Sequence, residues 1–164
     1  MPSKQQGRDS IEIEVPMEKM WTLIHDSREL ARWGPPVRGV TVLDAEPGRE
    51  TLGSRRRVEA EMQGKRGAFV ERRDLHVAGR AIGYVIEEET FGMFRIISSP
   101  GFSLELEPLG PARTRVVFTF FHDPRGILGH VMNVMIVLRA QRTNRLAALA
   151  ALKAYAERGT EPAR

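Results

Sequence analysis

The amino-acid sequence predicts an α+β fold. We expect a curved antiparallel sheet of about seven strands, wrapped around one long C-terminal helix, with two short helices between the first two strands. Short segments of alternating polarity follow one another between turns, which is typical of consecutive antiparallel strands. No glycine or proline occurs between Gly129 and Gly159, and this stretch is rich in Ala and Leu, so it predicts a single helix.

The chain opens with a polar stretch and a strand. Residues 10–15 alternate strictly between polar and apolar side chains, which predicts a half-buried strand. The preceding Met1–Asp9 is polar and is predicted to be disordered. We therefore expect one domain over residues 10–158, followed by a short tail at residues 159–164.

Two short helices are predicted next. Pro16 suits the first turn of a helix over Met17–His25. Asp26 and Glu29 have the spacing of a capping box, so a second helix is predicted over Ser27–Arg32. The Trp-Gly-Pro-Pro sequence that follows ends it, because proline does not continue a helix.

The rest of the sheet is predicted between turns rich in glycine and proline. The predicted strands are Val37–Ala45, Gly53–Met62, Arg66–Val77, Ala81–Glu89, Arg95–Glu107 and Arg113–His122. The long helix is predicted over about Ile127–Arg158.

Composition excludes several classes of site. The chain has no cysteine, so disulfides, thiolate zinc sites and cysteine nucleophiles are absent. Its 4 histidines are dispersed without metal-ligand spacing, and no dinucleotide-binding, phosphate-loop or Gly-x-Ser-x-Gly motif occurs. We therefore expect neither a metal nor another cofactor. The polar N-terminus lacks the apolar core of a secretory signal, so we expect a cytoplasmic protein.

The net charge of +4 invites a nucleic-acid interpretation, which the charge pattern argues against. The densest basic cluster, Arg55–Arg57, is followed at once by Glu59 and Glu61. Strands of mixed sign are usually solvated faces, and no nucleic-acid-binding motif accompanies the charge. The longest apolar run, Val134–Leu138, is far too short to span a bilayer, so stable membrane insertion is not expected either.

Several short motifs occur in a specific order along the chain. They are Val15-Pro16 before Trp21, Trp33-Gly-Pro-Pro-Val37, Gly79-Arg80 before Tyr84, Leu106-Glu-Pro-Leu-Gly110 and Thr114-Arg-Val116. In this order and spacing, from about residue 10 to residue 157, the chain resembles the SRPBCC superfamily. That superfamily includes START-type lipid-transfer domains, the birch-pollen allergen group and the polyketide cyclase/dehydrase family. The resemblance implies a helix-grip fold around a deep apolar cavity, but no single activity.

Alternation within the predicted strands indicates which side chains face inward. A packed core without a cavity would need the same pattern, but the resemblance favours a cavity of a few hundred Å³. For Arg66–Val77 the two registers are almost equally apolar, so no face is assigned. The inward set comprises Arg56, Val58, Ala60, Met62, Ile82, Tyr84, Ile86, Phe102, Leu104, Leu106, Val116, Phe118 and Phe120, with His122 at the end of the last strand.

The C-terminal helix carries a cation within its predicted apolar stripe. At 100° per residue the stripe comprises Val131, Val134, Met135, Leu138, Arg142, Leu149, Leu152 and Ala156, with Arg145 at its edge. A buried charge costs several kcal/mol unless it is paired. Arg142 is therefore expected either to pair with a strand carboxylate such as Glu71 or Asp74, or to reach the rim, or to hold an anionic or carbonyl-bearing ligand.

The block Val131–Leu138 is apolar at seven of its eight positions, more than one buried face requires. Our first expectation is that both of its sides are buried. The alternative is exposure for a homodimer or for an encounter with a membrane.

These observations favour binding or transport of a small hydrophobic ligand, such as a lipid, an isoprenoid or a polyketide-like molecule, without catalysis. The alternative is a cyclase or dehydratase that uses Arg56, Tyr84, His122 or Arg142 to polarise a carbonyl group or remove a proton. A regulatory protein that binds a partner ranks third. The predicted ligand-binding residues are Arg56, Val58, Tyr84, Ile86, Phe102, Leu104, Val116, Phe118, Phe120, His122, Met135, Leu138 and Arg142.

Overall fold

Consecutive hairpins build a seven-stranded antiparallel sheet in the computed structural model, which describes residues 4–34 and 36–158. The strand order is β1-β7-β6-β5-β4-β3-β2, so the first strand lies beside the last. The strands are β1 (Gln5–Ile13), β2 (Val37–Val42), β3 (Arg55–Met62), β4 (Lys65–Val77), β5 (Ala81–Glu89), β6 (Ile97–Gly110) and β7 (Arg113–Pro124). The predicted α+β helix-grip architecture is confirmed.

Helices cover one face of this sheet. They are α1 (Met17–His25), α2 (Ser27–Trp33), a short 3-10 helix (Met93–Arg95), α3 (Gly126–Met132), a π-helical turn (Asn133–Val137) and α4 (Leu138–Arg158). The last three are continuous and form the C-terminal helix. The cap predicted for α2 is present, because the Asp26 carboxylate accepts a hydrogen bond from the backbone N–H of Arg28 at 2.9 Å. None of the helices in the described ranges is long and apolar enough to cross a bilayer.

The first strand begins earlier than the sequence predicted. Residues 5–9 pair with β7, with Arg8 opposite Thr119 and Asp9 opposite Phe118. The prediction of disorder for Met1–Asp9 is therefore wrong for this part, because the pairing depends on a strand that lies more than a hundred residues away in sequence. Residues 1–3 and the predicted tail at 159–164 lie outside the described residues.

A bulge in β4 explains why the alternation of polar and apolar residues did not show which side chains of this strand face inward. Arg73 lies opposite Tyr84, but Leu75 lies opposite Gly83, so Asp74 is an extra residue on one side of the ladder. The extra residue reverses the alternation, and both Arg73 and His76 therefore face α1. A pattern of period two cannot describe a strand whose phase changes in the middle.

The π-helical turn changes the phase of the C-terminal helix in the same way. Its wider turn adds a residue relative to an α-helix, so the face that contains Asn133 continues through Gln141 and Arg145. The predicted stripe assumed 100° per residue throughout and is wrong in its first half. Val134 and Met135 are 73% and 70% exposed, and the side chain of Arg142 is 70% exposed. The expectation that both sides of Val131–Leu138 are buried is also wrong.

The apolar core fills only part of the space between sheet and helices. Near its C-terminal end α4 packs Leu149, Leu152 and Ala156 against core residues of the sheet and of α1, including Ile13 and Met20. Nearer its N-terminal end the same face carries Gln141, Arg145 and Ala148, and the space beneath them is a cavity.

Candidate functional site

An apolar cavity of about 230 Å³ lies between the sheet, α2 and the first half of α4. Its wall includes Leu30, Trp33, Val37, Val58, Met62, Phe69, Ile82, Ile86, Met93, Phe102, Leu104, Phe118, Phe120 and Ala148. The polar side chains at its surface are Arg56, Glu71, Gln141, Asn144 and Arg145. A concave, largely apolar space with a few polar groups is typical of sites for small organic ligands.

The structure places the predicted ligand-binding residues in two groups. Those that line the cavity are Arg56, Val58, Ile86, Phe102, Leu104, Phe118 and Phe120. Those that do not are Tyr84, Val116 and His122, which are buried outside the cavity wall, and Met135, Leu138 and Arg142 on the C-terminal helix. The helix residues fail because the π-helical turn rotates them away from the cavity. The seven residues that line the cavity all lie on β-strands, and their role in ligand binding stays a prediction.

A buried ion pair forms one polar part of the cavity surface. Arg56 of β3 lies opposite Glu71 of β4, and its Nε and Nη2 atoms each lie 2.8 Å from Glu71 Oε2. Arg56 Nη1 donates to Ser27 Oγ at 3.2 Å, and the guanidinium carbon lies 3.7 Å from the centre of the Tyr84 ring. Burial opposes the charged form, but the neighbouring Tyr84 side chain and the Glu71 carboxylate raise the pKa of Arg56 above its usual value. The guanidinium therefore stays charged at the cavity wall.

Tyr84 is turned away from the cavity by a second buried arginine. The fully buried Arg73 donates through Nε to the Tyr84 hydroxyl oxygen at 3.0 Å, and to the backbone oxygens of Glu50 and His25 at 2.7 and 2.8 Å. These bonds satisfy a buried charge mainly with neutral oxygens. The Tyr84 hydroxyl is thus part of the scaffold between the sheet and α1, not a ligand contact.

His122 lies behind the cavity wall in a chain of hydrogen bonds. Its Nε2 lies 2.6 Å from Asn133 Oδ1, and its Nδ1 lies 3.3 Å from Gln141 Nε2. Burial lowers the pKa of His122, although the hydrogen bond to Asn133 and the charge of Asp123 oppose this effect. The imidazole is therefore neutral near pH 7. Gln141 carries the chain to the cavity surface.

Arg145, not Arg142, is the buried cation of the C-terminal helix. Its side chain is 6% exposed, and its Nε lies 2.8 Å from Asp9 Oδ2. Arg142 lies 3.9 Å from the other Asp9 oxygen and remains exposed. The guanidinium of Arg145 packs on Gly7, where any side chain would collide with it. The expected pairing with a strand carboxylate is thus present, but between residues that differ from those predicted.

The polar residues that α4 and β4 bring to the cavity were not predicted to line it. Counting back from Leu149 in steps of four would have found Arg145 and Gln141, because that end of the helix is regular. Glu71 had no such signal. Within residues 4–34 and 36–158, no group of three or more His, Asp or Glu side chains is arranged to hold a metal ion.

Comparison with known proteins agrees with this architecture. The Zhui aromatase/cyclase from a Streptomyces species superposes with a TM-score of 0.73 at 23% identity, covering 94% of each chain. A START superfamily protein from Mycobacterium smegmatis gives a TM-score of 0.71 at 18% identity, covering 93% of this chain and 97% of that one. The di-domain ARO/CYC protein BexL gives 0.77 at 24% identity, covering 97% of this chain and 48% of that one. At these identities the similarity establishes the fold.

No match was found among curated protein sequences. The sequence of residues 4–157 matches the family described as polyketide cyclase/dehydrase and lipid transport. This match covers nearly the whole chain and agrees with the resemblance seen in the sequence motifs. The chain belongs to the polyketide cyclase/dehydrase and lipid-transport family.

Proposed function

We propose that this protein binds a compact, largely apolar organic molecule that carries a carbonyl group, with the carbonyl oxygen at Arg56. The observation that carries the proposal is the buried, charged guanidinium of Arg56 at the surface of a largely apolar cavity. The rest of the cavity wall offers aromatic and aliphatic contacts, which stabilise a bound apolar molecule in proportion to the area buried.

Cavity volume favours a compact ligand. A cavity of about 150 Å³ holds benzene, and the volume here is about 230 Å³. The space therefore suits a molecule of about two fused rings, such as a polyketide-derived aromatic. A long acyl or isoprenoid chain would require the cavity to widen.

Arg56 has hydrogen-bonding capacity to spare. A guanidinium carries five N–H groups, and the contacts to Glu71 and Ser27 use three of them. Burial has already excluded water from this guanidinium, so a ligand oxygen that accepts a further bond gains a charge-assisted interaction. Such a bond contributes roughly 1.5–3 kcal/mol.

Calorimetric titration with α-tetralone and with its parent hydrocarbon tetralin tests the proposal. We expect α-tetralone to bind more tightly to the wild-type protein, by roughly tenfold or more. Replacing both members of the ion pair, Arg56→Met with Glu71→Met, avoids stranding one buried charge and should abolish this preference. The outward-facing neighbour Arg57 provides a matched control through Arg57→Met. Equal binding of ketone and hydrocarbon by the wild type, or no binding of either, would refute the proposal.

A cyclase or dehydratase is the second candidate, and the proximity of Glu71 to Arg56 at the cavity wall favours it. The similarity to proteins named aromatase/cyclase supports the same idea. For a β-hydroxyketone, Glu71 would take the proton from the carbon next to the carbonyl while Arg56 holds the enolate oxygen. The enolate would then re-form the carbonyl and expel hydroxide, which takes the proton from Glu71 and leaves as water.

The dehydration of the β-hydroxy derivative of α-tetralone, which yields fluorescent α-naphthol, tests this second candidate. If the protein is a dehydratase, the wild type should accelerate this reaction above the uncatalysed rate. Glu71→Gln should remove the acceleration, although the amide oxygen of the new side chain can still accept a hydrogen bond from Arg56. A rate equal to the uncatalysed background, with binding intact, would exclude the dehydratase activity and leave binding as the remaining function.

A further inference from the structure

A buried hydrogen-bond acceptor without a partner lies at the cavity wall. Among the described residues, two buried side-chain polar atoms have no hydrogen-bond partner, Ser103 Oγ and Gln141 Oε1. Of the two residues, only Gln141 lines the cavity. Buried polar atoms are almost always paired, because an unpaired one loses its hydration without compensation. An unpaired acceptor beside a cavity therefore points to a donor on whatever occupies that cavity.

The orientation of the Gln141 amide follows from the residues behind it. The structure orients the Asn133 amide with Oδ1 toward His122 Nε2, at 2.6 Å, and this orientation places the hydrogen of the imidazole on Nε2. His122 Nδ1 is then an acceptor, and Gln141 Nε2 donates to it at 3.3 Å. Turning the amide over would place two acceptors, Oε1 and Nδ1, against each other. The hydrogen-bonded chain Asn133–His122–Gln141 thus holds the NH2 group of the Gln141 amide toward His122. It leaves Gln141 Oε1 as the acceptor without a partner.

We propose that Gln141 Oε1 accepts a hydrogen bond from a hydroxyl group of the bound molecule, so that the cavity selects phenols, enols or alcohols over their ethers and parent hydrocarbons. This inference rests on the proposed function, since it assumes that the cavity holds a ligand. Arg56 donates and Gln141 accepts, so together they select a molecule that carries both an oxygen acceptor and a hydroxyl donor. Asn133 and His122 do not touch this molecule and act as positioning residues.

Binding of β-naphthol, β-methoxynaphthalene and naphthalene tests the inference, because the first two differ only in the hydroxyl hydrogen and a methyl group. We expect the wild-type protein to bind β-naphthol roughly three- to tenfold more tightly than the ether or the hydrocarbon. Gln141→Met keeps the length of the side chain and removes the acceptor, so the three affinities should become nearly equal. Thr143→Val, at an exposed position of α4 that does not line the cavity, should leave the preference unchanged.

The outcomes separate the two proposals. Failure of all three probes to bind, with α-tetralone also unbound, refutes the proposed binding function itself. Equal binding of the three by the wild type, or a hydroxyl preference that persists in Gln141→Met, overturns the role of Gln141 while leaving a ligand in the cavity. Nitrogen NMR of the imidazole gives an independent check that does not depend on binding. A His122 ring protonated on Nδ1 instead of Nε2 would overturn the inference, because the amide would then present its donor side.

Discussion

At the scale of single residues, the Asp9–Arg145 pair provides a sharp test of the structure. Both side chains are largely buried, and removing one partner would leave the other charge uncompensated. Arg145→Met should therefore lower the free energy of unfolding by about 3–5 kcal/mol. Arg142→Met, in the exposed neighbour, should change it by about 0.5 kcal/mol or less. Urea denaturation measures both, and the opposite ranking would restore Arg142 as the buried cation.

The same residues show what a sequence pattern can and cannot predict. An arginine within the buried stripe of the C-terminal helix was predicted, with pairing to a strand carboxylate as one of three alternatives, and a buried, paired arginine is present. The position was wrong by three residues, because nothing in Val131–Leu138 signals a π-helical turn. The partner was wrong as well, since Asp9 was assigned to a disordered segment. The pairing of residues 9 and 145 depends on contacts across almost the whole chain, and no local pattern encodes it.

The pKa of His122 makes stability depend on pH in a defined window. Burial lowers this pKa in the folded protein, whereas an unfolded histidine titrates near pH 6.5. Below about pH 6.5 the unfolded state binds more protons, so stability should fall as the pH drops, by up to about 1.4 kcal/mol per pH unit. His76, whose pKa burial and the charge of Arg73 also lower, adds to this slope. Chemical denaturation between pH 7 and pH 5 measures it.

The contribution of His122 can be isolated by substitution. His122→Gln should flatten the pH dependence. An unchanged slope in His122→Gln would mean that other groups carry the dependence. The carboxyl groups whose pKa values are lowered, such as Asp26, lose their contribution to stability only at lower pH, outside this window.

At the scale of secondary-structure elements, β7 contributes side chains both to the cavity wall and to the packed core. Its inward face carries Val116, which is fully buried in the core, and Phe118, which lines the cavity and is only partly buried. Because Phe118 is only partly buried and borders the cavity, Phe118→Ala should cost about 2 kcal/mol or less, below the roughly 3–5 kcal/mol typical of a core phenylalanine. Leu152→Ala, at a fully buried core position of α4, should cost about 3–5 kcal/mol. Equal costs in urea denaturation would indicate that the cavity is closed in solution.

Strand patterns were informative wherever the ladder is regular. In β3 and β7 alternation correctly predicted which side chains face inward, including the unusual Arg56. In β4 it gave no answer, because the bulge at Asp74 changes the phase. The two local irregularities, this bulge and the π-helical turn, account for the faces that the sequence left open or predicted wrongly. Both are local insertions relative to an ideal period, and a single sequence does not mark them.

At the scale of the whole molecule, the cavity exists because two separate helical segments cover the same face of the sheet. The α2 helix contributes Leu30 and Trp33 to the wall, and α4 contributes Gln141 and Ala148. The order of the elements followed from alternation, turn and cap signals in the sequence, and the arrangement around a cavity followed from the resemblance to a known superfamily. The cavity volume did not, since it depends on how closely the helices approach the sheet and each other.

A hydrogen bond joins these two helices. The hydroxyl group of Tyr155 on α4 donates to Glu29 Oε2 on α2 at 2.9 Å. Tyr155→Phe should lower stability only modestly, by about 0.5–1.5 kcal/mol. Because α2 forms part of the cavity wall, a looser attachment should let it open more often and speed the release of bound β-naphthol several-fold. Stopped-flow fluorescence measures the release rate directly.

A matched control distinguishes the link between helices from a general loosening of α2. Arg28→Gln removes an ion pair with Asp26 at the N-terminal end of α2 and does not touch α4. Release from this variant should match the wild type. If Tyr155→Phe also releases β-naphthol at the wild-type rate, the ligand leaves by another route. The part of the wall formed by Met62 of β3 and Met93 of the 3-10 helix would then be the next to test, because methionine side chains rearrange readily.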